Sequence, residues 1–264
     1  MSYAHLGFEL SDAIARITIN RPAQLNALDL PAMEELLDIA NRCSTDSGLR
    51  AVLLTGAGDR AFCAGGDVAA FAAAGETGLP LLLQRMTGAL HLAVSRFAWM
   101  RAPVIAAVNG VAAGAGLSLV AAADLVVAAD SARFTSAYTR IGLTPDGSST
   151  WFLSRIIGPR RAMELHLTDR VLTAEEALAW GLVNRVVPAA GLAAEAERLV
   201  AQLTAGPTRA FGGVKKLIQT GLTDTLESQM ERESRFIVDM AGSDDGREGI
   251  GAFAAKRRPR FTGT

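Results

Sequence analysis

The chain has 264 residues, 50% hydrophobic and 20% charged, with a formal net charge of -1. That length suits one large domain with a substantial core, and the near-neutral charge argues against a nucleic-acid protein, which would show a clustered basic excess. Two cysteines, Cys43 and Cys63, are too few for a disulfide framework or a cysteine metal site. MSYAHLGFEL carries no secretory pattern, so a reducing cytoplasm is the expected setting.

Residues 8 to 20 alternate through Ala13, Ile14, Ala15, Arg16, Ile17, Thr18 and Ile19, which predicts an antiparallel hairpin closed near Ser11 and Asp12. A helix follows the loop AQLNALD, with Asp29 as N-cap, Pro31 in the first turn and an apolar stripe through Met33, Leu36, Leu37 and Ala40. AVLLT at 51 to 55 reads as a strand covered on both faces, completing a β–α–β crossover. The glycines and small residues of GAGDRAFCAGGDVAAF predict a loop. Within it, Gly56 to Ala61 matches a dinucleotide-binding fingerprint, with Glu76 near ribose-contact distance. That fingerprint needs a helix starting at its second glycine, and Phe62, Cys63, Ala64, Gly65 and Gly66 are poor material for one, so nucleotide binding is not expected. Residues 69 to 80 are small and glycine-rich, either a flap over a site or an ordinary surface loop. Leu81 to Met100 is predicted helical, with His91 on a mostly apolar face, a satisfied core residue in preference to a catalyst.

Residues 103 to 129, PVIAAVNGVAAGAGLSLVAAADLVVAA, organise the rest. The run from Val104 to Ala123 is long enough for a membrane span, but its breaks at Asn109, Gly110, Gly114 and Gly116 fit strand, bend, buried helix and strand better. Glycines there let another chain segment approach, and the first-turn N–H groups of the helix face outward. A second bend, CAGGDV at 63 to 68, also follows a buried strand. One N–H from each bend would polarise a carbonyl held between them and stabilise negative charge developing on it.

Beyond residue 129 the pattern predicts a short strand at Ala132 to Phe134 and a turn, IGLTPD, into a helix through Trp151 and Phe152. Further helices run from Pro159 to Leu167 and from Thr173, whose spacing to Glu176 is a capping box; 182 to 187 reads as a strand. From 190 the chain is helical, with breaks near Gly206-Pro207, Gly221 and Gly242. An α/β core over 1–190 and a helical region over 191–264 are therefore expected. Lys256, Arg257, Arg258 and Arg260 form either a solvated tail or a phosphate contact. Asp124 is expected to cap a helix-to-strand junction, and Asp67 to fix its own loop. Ser118 with His91 suggests a hydrolase pair, but no G-x-S-x-G elbow surrounds the serine.

NRPAQLNALD at 20 to 29, LLTGAGDRAFCAGGDV at 53 to 68, PVIAAVNGVAAGAG at 103 to 116, DLVVAADSARF at 124 to 134, RIGLTPDGSST at 140 to 150 and REGIGAFAAKRRPRF at 247 to 261 together resemble the crotonase, or enoyl-CoA hydratase/isomerase, family over nearly the whole chain. The resemblance implies an α/β fold, a ββα superhelical spiral whose helical C-terminal region joins subunits into trimers or hexamers. It implies acyl-CoA thioester substrates, no cofactor beyond that CoA, no bound metal and no membrane span. Carried over by position, Gly66 and Ala115 supply the oxyanion N–H groups. Ala27, Leu28, Ala64, Gly65, Asp67, Val68, Gly114 and Tyr138 line the CoA and substrate path, and Lys256 meets a CoA phosphate, often from a neighbouring subunit.

The departures narrow the chemistry. Hydratases of this family use two glutamates to deliver water, at the positions held here by Ser118 and Tyr138. Neither is a general base at neutral pH. The remaining carboxylate in a fitting place is Asp146, and its segment resembles the branch holding epoxyphenylacetyl-CoA isomerases and double-bond-shifting enoyl-CoA isomerases, where an aspartate moves the proton. Pro145-Asp146-Gly147 is equally a turn signature, and an aspartate before a helix is a natural N-cap. Ser148-Ser149 stands where relatives commonly carry glycines. An isomerase with Asp146 as proton shuttle is the expectation. The alternatives are a hydratase that activates water another way and a non-catalytic acyl-CoA-binding subunit.

Overall fold

In the computed structural model, which describes residues 3–264, the chain opens with strands β1 (Leu6–Ser11) and β2 (Ile14–Ile19) paired antiparallel. The turn lies at Asp12 and Ala13, one residue later than expected, and both take positive φ (52° and 62°), the twist a two-residue hairpin requires. Helix α1 (Leu30–Thr45) starts as predicted, with the Asp29 side chain accepting from the Ala32 N–H at 2.9 Å. It buries Met33, Leu36 and Ala40 against the core, with Leu37 half-buried beside them.

Strand β3 (Ala51–Gly56) is followed by a short strand β4 (Ala61–Cys63) and helix α2 (Val68–Trp99). The sequence 56 to 71 is thus not all loop. Its last part enters α2 because the Asp67 carboxylate caps the first turn, accepting from the N–H groups of Ala69 and Ala70. Residues 69 to 80 belong to that helix, interrupted at Gly75 (φ 67°), which corrects the reading of a loop or flap. No helix begins at Gly58, so the dinucleotide fingerprint lacks the context it needs.

The pattern then repeats as β5 (Val104–Val108), β6 (Val111–Ala113) and α3 (Ala115–Ala122), and again as β7 (Leu125–Ala129), β8 (Arg133–Thr135) and α4 (Ser149–Ile156). The remaining elements are α5 (Pro159–Thr168), β9 (Leu172–Thr173), α6 (Ala174–Trp180), β10 (Arg185–Val187), α7 (Leu192–Thr204), α8 (Thr208–Gly221), α9 (Leu226–Ala241) and α10 (Asp244–Ala254). The capping box at Thr173 and Glu176 forms as predicted. Six strands build one sheet in the order β1-β2-β3-β5-β7-β10, and four build a second in the order β4-β6-β8-β9. Three times, then, the chain places one strand in the large sheet, one in the small sheet and a helix after them. That is a ββα spiral.

The stretch Val104–Ala123, weighed as a membrane span, is divided among two strands and an eight-residue helix; no helix of the described residues is long and apolar enough to cross a membrane. The main core lies between the sheets, α1, the second half of α2 and α3, and a second cluster packs α7 through Leu192, Ala196, Leu199 and Val200 onto the large sheet. Cys43 and Cys63 are free and buried, and burial pushes both thiols up to about 12, well out of the reactive range.

One tie between the C-terminal helices and the core had no local signal. Lys215 on α8 reaches across to Asp124, with Nζ 2.6 Å from its carboxylate, and donates to the carbonyls of Phe97 and Ala102 at 3.0 and 3.2 Å. Asp124 also accepts the Val104 N–H at 2.7 Å, so it pins the start of β5 rather than capping a helix. Burial raises the Asp124 carboxyl and lowers the Lys215 ammonium, and each group's charge opposes the other's shift. Removing one partner leaves the other charge uncompensated, so Lys215→Met is expected to cost about 3–5 kcal/mol in chemical denaturation; a loss below about 1 kcal/mol would show the pair to be dispensable.

Candidate active site

The site is built where the small sheet ends. Strands β4 and β6 are parallel neighbours, with Ala61 beside Val111 and Cys63 beside Ala112, so the peptides leaving their C-terminal ends emerge side by side. Those peptides, Ala64 to Asp67 and Gly114-Ala115, approach closely because glycines stand at the contact. A Cβ on Gly116 would lie 2.1 Å from the carbonyl oxygen of Cys63, and Gly114 takes φ +50° with its Cα side facing the backbone of Gly65.

The hydrogen-bond pattern leaves two donors free at this junction. Leu28 N–H donates to the Gly65 carbonyl at 2.8 Å, and Asp67 N–H to the Leu28 carbonyl at 2.9 Å. That bridge turns the intervening Gly66 N–H away from Leu28. Ala115 is the first residue of α3, whose first-turn N–H groups have no carbonyl a turn earlier. Among the described residues neither N–H has an acceptor, and both residues line the same cavity. The N-terminal end of α3 adds its positive dipole there.

Two side chains that the sequence reading did not single out hold this geometry. The Arg21 guanidinium sits 2.8 Å from Asp29 and 3.0 Å from Asp67, and also donates to the Ala27 carbonyl. It thereby joins the cap of α1 to the cap of α2. Buried Asn26, with φ 58°, donates to the carbonyls of Ala57 and Ala61 at 3.0 and 2.7 Å and accepts the Arg21 N–H at 3.0 Å. Both residues stand in NRPAQLNALD, a segment whose role as a brace only the fold reveals.

The cavity has a volume of about 580 Å3 and an apolar wall that includes Val68, Phe71, Met86 and Leu143. Asp146 is the one acidic side chain on that wall among the described residues. Its Oδ1 accepts from the Tyr138 hydroxyl at 2.6 Å and its Oδ2 from the Thr87 hydroxyl at 3.2 Å. Its side chain caps no helix. Position Ser148 precedes α4, and the Ser149 N–H goes to the main-chain carbonyl of Asp146 at 3.2 Å. The Ser118 hydroxyl donates to that same carbonyl at 2.9 Å and lies 3.2 Å from the Gly114 carbonyl and from the Tyr138 oxygen. Burial, and then the charge of Asp146, push the Tyr138 hydroxyl far above the usual phenol range, so it remains a donor.

His91 is exposed on the cavity wall rather than buried in the core, and its Nε2 accepts the Gly147 N–H at 3.0 Å. With Ser118 turned to carbonyls and His91 to a peptide N–H, the hydrolase pair does not form. Of the residues expected from the sequence, Ala64, Gly65, Gly66 and Val68 meet Gly114, Ala115, Tyr138 and Asp146 around one cavity. Ala27 and Leu28 are buried beside it, Asp67 is engaged by Arg21 and α2, and Lys256 is exposed beyond α10, outside the cavity wall. Thr87 was missed: a threonine on a helix face carries no signal of its own.

A family model described as enoyl-CoA hydratase/isomerase matches residues 9–264. The chain belongs to the enoyl-CoA hydratase/isomerase family. It is 41% identical to a probable enoyl-CoA hydratase of Rhodobacter capsulatus over 263 residues, 100% of each chain. It is 40% identical to the 1,2-epoxyphenylacetyl-CoA isomerase of Escherichia coli K12 over 95% of each chain. A crystal structure of a putative enoyl-CoA hydratase/isomerase from Mycobacterium abscessus superposes with a TM-score of 0.93 at 32% identity, covering 98% of this chain and 100% of that one. The fold is the crotonase-like spiral that the sequence resemblance implied. The relatives' names differ in reaction, so the family alone does not choose between hydration and isomerisation in this member.

The close approach at Gly116 is testable without any substrate. Gly116→Ala is expected to wedge α3 from Cys63 and destabilise the fold by about 1–3 kcal/mol. Gly88→Ala on α2, where a Cβ meets nothing within 4 Å, serves as a control and should be neutral or slightly stabilising. Equal thermal-denaturation midpoints for the two variants would contradict the contact.

Proposed function

We propose that this family member is an acyl-CoA isomerase in which the N–H groups of Gly66 and Ala115 hold the thioester oxygen and Asp146 moves the proton. The observation that carries the reading is the hydrogen-bonded state of Asp146. Its carboxylate is held on the cavity wall by two hydroxyls and spends nothing on capping α4. The positions where the family's hydratases carry their glutamates hold Ser118, which bonds to carbonyls, and Tyr138, which is committed as a donor.

The chemistry follows from the geometry. Two amide donors on the thioester oxygen draw charge from the carbonyl and lower the cost of enolate formation; losing one such donor typically raises the barrier by about 3–4 kcal/mol. With the neighbouring C–H bond acidified, the Asp146 carboxylate removes a proton, the C–H electrons pass into the enolate, and the same proton returns at a different carbon. The cycle needs no water as reactant, no redox partner and no cofactor beyond the CoA of the substrate.

In this reading Ala27, Leu28, Ala64, Asp67 and Val68 border the CoA path, and Lys256 meets a CoA phosphate, in a neighbouring copy where the chain assembles. Assembly into trimers or hexamers belongs to the same reading; what supports contact with another copy is α9, which buries no residue and shows Leu226, Met230, Ile237 and Val238 on its surface, and Phe253 on α10 at 88% exposure. A hydratase is the second reading, favoured by the name of the Rhodobacter capsulatus relative.

Asp146→Asn is the test. It should bind a non-reactive acyl-CoA analogue within about threefold of the native protein while losing isomerisation by about 10²–10⁴-fold. Native-level isomerisation in that variant would overturn the assignment, and steady hydration of crotonyl-CoA by the native protein would move it to the hydratase reading.

A further inference from the structure

The two oxygens of Asp146 are not equivalent. Oδ1 receives the Tyr138 hydroxyl at 2.6 Å, within the range of a strong O–H···O⁻ bond, whereas Oδ2 receives Thr87 at 3.2 Å, well beyond it. Tyr138 lies in the same β8–α4 connection as Asp146 and Thr87 lies on α2, so two separate parts of the chain fix one carboxylate. Helix α2 contributes twice. Thr87 and His91 are one turn apart on the same face, the first bonding to the Asp146 side chain and the second to the Gly147 N–H. From the other side, Ser118 holds the Asp146 main-chain carbonyl.

Resting on the isomerase reading above, we propose that Tyr138 and Thr87 are positioning residues that divide the work of the Asp146 oxygens: Tyr138 holds Oδ1 throughout the cycle, and the transferred proton travels on Oδ2. A carboxylate oxygen already committed to a short hydrogen bond is the weaker base of the two. The substrate C–H bond breaks, its electrons enter the enolate, and an O–H bond forms at Oδ2. The Thr87 hydroxyl keeps donating to the other lone pair of Oδ2, which leaves the new O–H directed at the acyl carbons. The O–H bond then breaks as the proton joins the second carbon, and Thr87 remains the donor throughout. Tyr138 does not change protonation, because its environment keeps the phenol neutral. Held at one oxygen, the carboxylate cannot rotate, so the proton taken from one carbon faces the other rather than the solvent.

The test separates orientation from folding and from binding. Tyr138→Phe keeps the ring and deletes the hydroxyl. It should lower kcat by about 10–100-fold, the scale of a small misplacement of a reacting group, with KM and acyl-CoA affinity within about threefold of native. In deuterated solvent it should also incorporate more deuterium per product, since a loosened carboxylate exchanges its proton before returning it. Thr87→Val should lower kcat in the same way and Thr87→Ser restore it. Native kcat in Tyr138→Phe, unchanged deuterium content, or equal losses in Thr87→Ser and Thr87→Val would each overturn the proposal. Asp146→Asn run alongside keeps the two levels apart. If it isomerises normally, the reading of the site fails; if it is inactive while Tyr138→Phe is fully active, only the division of labour fails.

Discussion

Two stretches of main chain have to lie closer together than any side chain allows. The carbonyl oxygen of Cys63 occupies the place where a Cβ on Gly116 would sit, and Gly114 turns through positive φ with its Cα side against Gly65. From that contact follow the entry of α3 at its N-terminus, the side-by-side exit of the chains from β4 and β6, and the two N–H groups left without acceptors. A free amide in an apolar site is costly unless something accepts its hydrogen bond. The surrounding frame bears that cost in advance. Arg21 locks two helix caps together, Asn26 satisfies two carbonyls of the neighbouring turn, and Leu28 claims the flanking peptide groups so that the Gly66 N–H faces the cavity.

The carboxylate is positioned by different means. The amides come from a rigid backbone contact within the small sheet, while Asp146 sits in a loop and depends on side chains from α2, α3 and the segment after β8. Such a division suits the proposed chemistry, in which one part must stabilise developing negative charge without moving and another must give and receive a proton in a defined direction. It also explains why Ser118 and Tyr138 are compatible with a working site despite having no basic group: they act on the aspartate.

Much of this was readable in advance because it is local. Asp29, Thr173 with Glu176, and the breaks before α8 and α9 declare themselves through a few neighbouring residues, and the strand–bend–helix of 103 to 129 through its run of β-branched residues and glycines. Three-residue strands such as β4 and β6 do not, since each exists by pairing with a segment far away in sequence. The start of α2 was hidden by its small residues and glycines until Asp67 was seen capping it. Thr87 meets Asp146 across 59 positions, and Lys215 meets Asp124 across most of the second half of the fold. No periodicity encodes such meetings. The same limit left Asp146 undecided between turn residue and catalyst: its main chain does form a turn, its carbonyl accepting the Ser149 N–H, while its side chain caps no helix and bonds to Tyr138 and Thr87 instead.

The account stands on the pair of unclaimed amides receiving a thioester oxygen. Its most direct test is a crystal structure of the native protein with a non-reactive acyl-CoA analogue. The account predicts the acyl oxygen at about 2.7–3.2 Å from both the Gly66 and Ala115 nitrogens, with the acyl carbons beside Asp146. An acyl oxygen bound elsewhere in the cavity, with water or nothing between the two amides, would contradict it.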